Sequence, residues 1–565
     1  MERKADFEIR ALELHSLYAL DYAWIHKCLD YMTALGLNAL ILHRNDIVEA
    51  TVYPGALFGY EEKEGDNSVF DVYSQCFRKI FKNTPTRRSG IFNRRAFLKK
   101  VLLEAKRRGI SVYIENKEIY FPDILTEFYP HLLHDGHVCP TDPFWDDFLR
   151  IKFTEFFRDY PEVVGVITSV ATSESKISIK SNRCTCERCR NTTSENWYRR
   201  ILGVMHDVLS SLGKEFIVRD FVFDSKSQKE IATVMEEMPS DVIISLKNTP
   251  HDYYPTFPIN GRIGDVGNHR QWIEFDTMGQ YFGFGVGVAD LCEDYRRKLK
   301  DAKAKGVSGV IWRTDWESLD GHSTFATPNL INLYSGAALS VNTDAEPDDI
   351  YGLFAEREGW IAGDRREAVK WIRSVLGRTW AVTSKTVFVD GCVFSDSSTM
   401  PISMEHALWL AEEKNSLKDW DHSKEHSLSP IRASVEKAFE EKEEALRLID
   451  WIISTSDVVP VCVKADKGAW LKQWMHFNRL YVELFRLCTR LVMLARYILQ
   501  TKENDANYLE QKKNQFKEEI SNSYEIEAKL RALWKDTDCL PHVIYTLLDP
   551  DRVDCLRRNM ECLFR

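Results

Sequence analysis

The repeating unit of this chain is seen most clearly in residues 21–43, DYAWIHKCLDYMTALGLNALILH. An amphipathic helical run, Asp21–Leu35, is followed by Gly36 and then by the apolar stretch Ala39–His43. Glycine after the last helical turn supplies a left-handed cap, and a short apolar run is typical of a parallel strand that is covered on both faces. The stretch therefore predicts a helix, a cap and a buried strand.

The same order recurs through roughly the first 320 residues. Each recurrence has a helical run, a glycine and an apolar run: Phe97–Arg108, Gly109 and Ser111–Asn116; Ile201–Leu212, Gly213 and Phe216–Phe223; Tyr295–Lys305, Gly306 and Gly309–Thr314. Further strands are predicted at Phe7–Leu14, Val164–Ser169, Val242–Lys247 and Trp272–Thr277. Eight strands alternating with helices favour an α/β fold, a (β/α)₈ TIM barrel, over an open doubly wound sheet.

After about Asp344 the pattern changes to long helices with few strand signals. Apolar residues at three- and four-residue steps, or dense charge, predict helices at Ile431–Ile452, Trp470–Leu499 and Asp505–Trp534. We therefore predict a barrel domain over residues 1–344, which carries catalysis, and a mainly helical domain over residues 345–565. The C-terminal helices also suggest a homodimer.

Composition narrows the class of protein further. The chain has 565 residues, of which 44% are hydrophobic and 28% are charged, as in soluble globular proteins. Its 75 Lys+Arg against 85 Asp+Glu give a net charge of -10, so no global basic field exists to hold nucleic acid or an anionic membrane. The first residues lack the apolar stretch of a secretory signal, and 13 cysteines fit a reducing setting. A cytoplasmic protein without membrane spans is expected.

Polar residues at the carboxyl ends of the predicted strands are the candidates for function, because TIM-barrel active sites lie there. Those singled out are Glu174, Arg219, Lys247, Asp252, Glu274, Asp315 and Trp316. Paired carboxylates suit the cleavage of a glycosidic bond, in which one protonates the leaving oxygen and another activates water or attacks the sugar. Arg219 and Lys247 would add a corner that binds an anionic group. Trp316 offers a surface for stacking a sugar ring.

These segments resemble the family 67 glycoside hydrolases, the α-glucuronidases. Lys247–Asp252 reads KNTPHD where the family has Lys-Asn-Gly-Pro-x-Asp, and Glu274-Phe275-Asp276 matches its Glu-Phe-Gln. Ala171–Glu174 is similar to the family's general-acid loop Ala-Asn-Ser-Glu, and Val218–Phe223 is similar to Trp-Arg-x-Phe-Val-Tyr. Gly321-His322 also looks alike. The order and approximate spacing hold across about 320 residues.

The resemblance implies an inverting exo-hydrolase that removes a glucuronic-acid-like sugar from a small oligosaccharide. Glu174 would be the general acid, Asp252 and Glu274 would activate water, and Arg219 and Lys247 would bind the carboxylate of the sugar. Asp315, Trp316 and His322 would complete the substrate site, and catalysis would need no cofactor. Inversion predicts opposed carboxyl groups about 6.5–9.5 Å apart. A general acid that holds its proton predicts that Glu174 is more desolvated than its partners.

The chain also departs from the family. The family begins with a β-sandwich domain, whereas the first strand is predicted here within the first ten residues. The family's first-strand motif, Asn-His-Trp-Asp-Asn, is replaced by Leu14–Tyr18, which removes a sugar-stacking tryptophan, and its Gln-Glu-Tyr is replaced by Met278–Tyr281. Two alternatives therefore stay open: a glycosidase for a neutral or amino sugar, and a catalytically silent carbohydrate-binding protein.

Three cysteines, Cys184, Cys186 and Cys189, lie within six residues directly after the predicted acid loop. Thiolates at this spacing are typical of zinc or iron–sulfur ligation, and Cys139 would be the fourth ligand. Such a site would be structural, because four cysteines leave no open position for water. Reduced thiols in a loop, or one disulfide, are the alternatives.

Overall fold

The computed structural model of the chain shows eight parallel strands that close into a barrel. These strands, numbered β1–β8 in chain order, are Ile9–Leu14, Ala39–Leu42, Ser111–Glu115, Val163–Thr168, Glu215–Asp220, Ile243–Lys247, Gln271–Asp276 and Gly309–Arg313. Each strand lies beside the next one along the chain, and β8 pairs with β1 in the register Ile9↔Gly309. All eight predicted strands are present, and the α/β TIM barrel is confirmed.

Most of the chain is described by the structure. The described residues are 4–44, 47–52, 54–58, 85–117, 119–172, 174–222, 224–319, 321–536 and 540–564. Two residues of the motifs quoted above, Ser173 and Phe223, lie outside these ranges.

Helices follow most of the barrel strands in sequence. Those of eleven residues or more lie at Tyr22–Leu35, Pro85–Arg107, Phe144–Asp159, Ser194–Ser211, Ser225–Glu237, Cys292–Ala304 and Leu330–Val341. Shorter α-helices lie at Ile47–Thr51, Leu125–Phe128, Glu187–Asn191, Thr379–Thr383, Met404–Trp409 and His542–Leu547. Residues 248–270, all of which are described, join β6 to β7 through turns without a helix.

The ends of the first helix show how the sequence sets its limits. The side chain of Asp21 accepts a hydrogen bond from the backbone N–H of Trp24 at 3.0 Å, which caps the first turn. Gly36 follows the last turn with φ 72, a left-handed conformation that is easiest for glycine. The same conformation occurs at the other three predicted cap glycines, Gly109, Gly213 and Gly306.

An apolar layer fills the interior of the barrel. Its buried members are Ala11, Ala39, Ile41, Tyr113, Ile167, Ile217, Ile243, Trp272 and Ile311. Small residues make room for Trp272, because a Cβ added to Gly309 would lie only 2.4 Å from the indole Cδ1. The interior is therefore packed rather than open at this level, as is general for TIM barrels.

The C-terminal part of the chain is helical, as predicted. Its long helices are Pro347–Arg357, Arg365–Leu376, Arg432–Ser456, Ala465–Gln500, Ala506–Asp536 and Pro550–Cys562. Ala465–Gln500 packs against Arg432–Ser456, and Arg486 forms an ion pair with Glu443 at 2.7 Å across this contact. The three helices expected from periodicity are all present, with ends shifted by a few residues.

The described chain divides into two compact units. The first contains the residues up to Asn248, together with Asn260–Phe275 and Asp301–Arg313. The second contains Thr249–Ile259, Asp276–Lys300 and the residues from Thr314 onward. The predicted boundary at residue 344 stays a prediction. Among the described residues, every helix is too short or too polar to cross a membrane.

Candidate active site

A polar layer lies directly above the apolar layer in the barrel. Side chains on a strand alternate between faces, so the residue two positions beyond each inward apolar residue also points inward. Counting in this way from eight members of the apolar layer gives Glu13, His43, Glu115, Ser169, Arg219, Ser245, Glu274 and Arg313. All eight are buried. The fold therefore collects three carboxylates and two guanidinium groups toward the carboxyl ends of the strands.

Arg219 on β5 lies at the centre of this layer. Its Nε donates to Oε1 of Glu274 at 2.8 Å, while its Nη1 and Nη2 donate to Glu115 and Glu13. Hydrogen bonds between a guanidinium group and carboxylates are among the strong ones in proteins, and burial makes each charge depend on its partner. One cation thus holds three carboxylates from β1, β3 and β7 together.

His43, at the end of β2, joins the same cluster. Its Nδ1 lies 2.9 Å from Oε1 of Glu13, 2.8 Å from Oε2 of Glu115 and 2.9 Å from Nη1 of Arg219. The imidazole ring stacks on that of His15 with centroids 3.6 Å apart. Burial alone would lower the pKa of His43, but Glu115 and Glu13 raise it above its ordinary value.

The carboxyl groups of Glu13 and Glu115 are held in the charged form. Burial alone would raise the pKa of both, but Arg219 and His43 outweigh burial. The pKa of Glu13 is well below its ordinary value, and that of Glu115 is lowered to about 2. Glu13, Glu115, Glu274, His43 and Arg219 therefore form an ion cluster, and removing Arg219 would leave buried carboxylates without their shared cation.

Two lysines lie closer to the carboxyl ends of the strands than the ion cluster does. Lys117 lies two residues beyond Glu115, and Lys247 lies two residues beyond Ser245. The Nζ atoms of Lys117 and Lys247 are 5.9 Å and 3.4 Å from the centroid of the same ring, that of Phe221. Both lysines are buried, at 2% and 7% exposed. Lys117 also forms an ion pair with Glu174, which lies in the loop after β4. Both lysines therefore lie beside the ring of Phe221, toward the carboxyl ends of the strands.

The structure corrects the expected environment of Glu174. Its side chain is 36% exposed, whereas Glu274 is 1% exposed, so Glu174 is the less desolvated of the two. The reason is position in the fold: Glu274 is part of a strand inside the barrel, and Glu174 lies in a loop beyond the strand end. The prediction that Glu174 is more buried than its partners is wrong.

Arg219 and Lys247, predicted together as ligands of a substrate carboxylate, have different surroundings. Arg219 is already engaged by three protein carboxylates, whereas Lys247 faces an aromatic ring. The substrate role predicted for Arg219 is therefore not the one that its contacts favour. The structure does bring Arg219 and Glu274 together, as expected for residues of one site.

The sequence analysis misses three members of the cluster, Glu13, His43 and Glu115, and also misses Lys117 beyond it. The signal that finds them is the rule already applied to β4–β8, namely that polar residues at strand ends are candidates. Glu115 and Lys117 directly follow the apolar run of β3, and His43 directly follows β2. Glu13 is harder to recognise, because it lies inside a strand between two leucines.

The remaining predicted residues, namely the catalytic Asp252 and the substrate-binding Asp315, Trp316 and His322, belong to the second unit. Asp252 is buried, has φ 50 and accepts a hydrogen bond from the Tyr281 hydroxyl. A left-handed backbone at a residue other than glycine costs energy and is frequent at functional sites. Asp315 is buried and forms an isolated β-bridge with Ser323. The roles predicted for Asp252 and Asp315 stay predictions.

Trp316 and His322 both contact Phe284. The rings of Trp316 and Phe284 are stacked, with centroids 5.6 Å apart and an angle of 18°. His322 donates from Nε2 to the Phe284 carbonyl at 2.8 Å, and burial lowers its pKa to about 4, so it is neutral near pH 7. Their substrate roles also stay predictions.

The four cysteines predicted as a cluster do come together. The Sγ atoms of Cys139, Cys184, Cys186 and Cys189 all lie within 4.8 Å of one another. None of the described cysteines is in a disulfide. The disulfide alternative is therefore not the arrangement seen.

Comparison with known proteins gives a fold but no family. No family model matches the chain, and no curated protein matches it. Among solved structures, a GH138 enzyme targeting pectin rhamnogalacturonan II is similar with a TM-score of 0.64 and 12% identity, over 99% of this chain and 68% of that chain.

Two further similar structures have TM-scores below 0.5. The O-GlcNAc hydrolase of Thermobaculum terrenum gives 0.43 with 12% identity, over 99% of this chain and 95% of that one. A GH115 4-O-methyl-α-glucuronidase with specificity for decorated arabinogalactans gives 0.44 with 10% identity, over 99% and 62%. At these identities the likeness shows architecture alone. The chain thus has a TIM-barrel fold of the kind seen in a GH138 glycoside hydrolase.

Proposed function

We propose that this protein is a glycoside hydrolase acting on an oligosaccharide with an acidic terminal sugar. The observation that carries this proposal is the ion cluster of the first unit, in which carboxylates from three strands meet around Arg219 at the carboxyl ends of the barrel strands. Glycosidic bond cleavage needs two carboxyl groups with different protonation. The first unit supplies candidates for both in Glu174 and Glu274.

Glu274 is the proposed base. Its Oε1 accepts hydrogen bonds from Arg219 Nε and from the Ser245 hydroxyl, which fix the direction of the carboxylate. A carboxylate held in this way would take a proton from water as the water attacks the anomeric carbon. Arg219 is then a positioning residue that acts through Glu274. Its positive charge is balanced by carboxylates of the protein.

Glu174 is the proposed proton donor to the leaving oxygen. Its exposure fits a group that meets the substrate at the end of the strands, and a sugar placed over it would exclude water. Inversion requires the two carboxyl groups to be about 6.5–9.5 Å apart, with room for the attacking water. We further propose that the reaction inverts the anomeric configuration, that the enzyme acts in exo mode, and that Asp252 takes part in activating water.

Two buried lysines of the first unit support the acidic sugar. The ammonium groups of Lys117 and Lys247 both lie near the aromatic ring of Phe221. Arg219 and His43, which contact each other, belong to the same part of the barrel. The ammonium group of Lys247 would donate a charge-assisted hydrogen bond to a sugar carboxylate placed beside Phe221. Phe221 would then pack against the sugar ring. We therefore assign the substrate carboxylate to Lys247 rather than to Arg219.

Buried polar atoms of the first unit are consistent with a polyhydroxylated ligand. Within the described residues, His43 Nε2, Glu115 Oε1 and Ser169 Oγ are buried without a hydrogen-bond partner. Such atoms are rare in proteins and are costly unless something satisfies them. Sugar hydroxyl groups both donate and accept, and would fit this mixture.

The role of Glu174 is tested with Glu174→Gln on aryl and alkyl uronosides. We expect kcat to fall by about 10²–10⁴-fold for the alkyl leaving group, which needs protonation, and far less for an activated aryl group. Substrate binding measured by calorimetry should persist. Asp207→Asn, which changes an exposed carboxylate on a barrel helix, is the matched control and should leave both rates unchanged. Equal activity of Glu174→Gln and wild type would remove Glu174 from this role.

The acidic sugar is tested with Lys247→Met. We expect kcat/KM for a uronoside to fall by about 10²-fold while that for the matching neutral glycoside changes little, because only the uronoside loses a charge-assisted hydrogen bond. Lys229→Met, at an exposed lysine, is the control. NMR of the first product would report the anomeric configuration.

Two outcomes of these assays point elsewhere. Better hydrolysis of neutral or amino sugars by wild type would favour a glycosidase of that class, with Lys247 as a structural cation. Binding without hydrolysis across a broad glycan panel would favour a silent carbohydrate-binding protein.

A further inference from the structure

We propose that Cys139, Cys184, Cys186 and Cys189 bind one structural Zn²⁺ ion that joins two loops of the barrel. Cys139 belongs to the connection after β3, and the other three belong to the connection after β4. This metal assignment does not depend on the proposed hydrolase activity. The effect of the metal site on the catalytic role of Glu174 rests on that proposed activity.

The distances between sulfur atoms match a single tetrahedral ion. A zinc–sulfur bond is about 2.3 Å, which places tetrahedral sulfur atoms about 3.8 Å apart. Cys139 Sγ lies 3.6 Å from Cys186 Sγ and 3.5 Å from Cys189 Sγ, and all four Sγ atoms lie within 4.8 Å of one another. A disulfide needs about 2.05 Å. The thiols are thus too far apart to be bonded and close enough to share one ion.

The surroundings of the sulfur atoms also fit thiolate ligands. Backbone N–H groups of Thr141, Cys186 and Cys189 lie near the sulfur atoms of Cys139, Cys184 and Cys186 respectively. The Thr141 hydroxyl lies 3.3 Å from Cys139 Sγ and 3.2 Å from Cys189 Sγ. Such contacts to ligand atoms are a regular part of metal sites, because they orient the ligands and offset their charge.

A charged side chain completes this second layer. Four thiolates and Zn²⁺ carry a net charge of about −2. The guanidinium group of Arg188 lies close enough to Cys139 and Cys186 to interact with their charge, and it is held by Asp142 at 2.6 Å. The site therefore has a cation in place for an anionic centre.

Zinc is favoured among the metals by the donor set. Four soft thiolates in a tetrahedral arrangement select Zn²⁺ or iron, and divalent zinc binds such ligands more tightly than Fe²⁺ does. An iron–sulfur cluster places inorganic sulfide and several metal atoms between the cysteines, which demands a wider opening than the one seen here. With all four positions filled by protein, the ion would be structural rather than catalytic.

The position of the site gives it a function in the first unit. Cys139 lies just beyond the hairpin Leu133–His134 and His137–Val138, and the other three ligands follow Glu174 by ten to fifteen residues. The Lys117–Glu174 ion pair joins the same two connections. Zinc would therefore tie together the loops that position Lys117 and Glu174.

The test is the metal content of the full chain, purified under reducing conditions without an affinity tag that binds metal. We expect about one zinc per chain by mass spectrometry, and a zinc absorption-edge spectrum fitted by four sulfur atoms at about 2.3 Å. Cys186→Ser should lose most of the zinc and melt at a lower temperature. Cys555→Ser, at a cysteine of similar exposure outside the cluster, should keep it.

A second measurement covers the case in which Cys186→Ser does not fold. Titration of the wild-type chain with a mercurial reagent, with a zinc-sensitive dye present, should release the zinc as four thiols are modified. A wild-type chain without zinc, one that holds iron instead, or a Cys186→Ser chain with undiminished zinc would overturn the assignment. Full zinc in a chain that hydrolyses no glycoside would leave the metal site standing and reject the proposed function.

Discussion

Replacement of Glu274 by glutamine is expected to lower kcat/KM for a uronoside by about 10³-fold, within the range attributed to general acid–base catalysis. Glutamine keeps the shape of the side chain, and its Oε1 can still accept from Arg219 Nε and from Ser245. The amide cannot take a proton from the attacking water. We therefore expect a large loss in kcat, a small change in KM, and a circular dichroism spectrum like that of wild type.

The same Asp207→Asn chain serves as the control for Glu274→Gln, because it also removes one carboxylate from the barrel unit. If Glu274→Gln retains more than about a tenth of wild-type kcat/KM, Glu274 is not the base. Added azide or formate would test this role in the variant. Recovery of activity, with a product whose anomeric configuration is opposite to that of the substrate, would show that the missing carboxylate acts on the nucleophile.

Replacement of Arg219 by methionine is expected to lower the free energy of unfolding by about 3–5 kcal/mol at pH 7, the range measured when one partner of a buried ion pair is removed. Three carboxylates, those of Glu13, Glu115 and Glu274, would lose their shared cation inside the barrel. Denaturant unfolding followed by fluorescence measures the loss. Arg150→Met, at an exposed arginine of the same unit, should change stability by less than about 1 kcal/mol.

The pH dependence of the Arg219→Met effect separates lost charge from lost packing. In wild type the pKa values of Glu13 and Glu115 lie below their unfolded values, so both stabilise the fold above about pH 4.5 and lose this contribution as pH falls toward their folded pKa. Without Arg219, burial would raise the same pKa values, and the sign would reverse. The difference between wild type and variant should therefore shrink between pH 7 and pH 5. A difference that stays constant over this range would indicate a cavity alone.

The elements of the fold were predictable because their signals are local. Each element can be recognised from a few neighbouring residues. An apolar stripe indicates a helix, a glycine indicates its end, and an apolar run such as Ala39–Leu42 indicates a buried strand. The cluster of Cys184, Cys186 and Cys189 was equally visible, since six residues contain all three. Even the partner Cys139 was found, because the order of strands in a barrel places the connections after β3 and β4 side by side.

The composition of the polar layer was predictable only in part. Glu274, Arg219 and Lys247 were found because polar residues at the end of an apolar run are conspicuous. Their partners were not identified. Glu13 and Arg219 are 206 residues apart in the sequence. No local sequence pattern indicates that both side chains point into the barrel at the same level along its axis. The exposure of the Glu174 side chain was predicted wrongly for a related reason. The burial of a loop residue depends on which distant parts of the chain pack against the loop, and the local sequence does not show them.

By itself the sequence determined the number of barrel strands, most of the helices between them and the residue types at each strand end, because each follows from periodicity within a short window. Tertiary structure alone decided which of those residues share a layer and which cation meets which carboxylate. Closing eight strands into a ring brings distant positions into contact at equal height, and the low dielectric of the interior then couples their charges. Arg219 shows the difference: the sequence marks it as a candidate ligand, and closure of the barrel surrounds it with Glu13, Glu115 and Glu274.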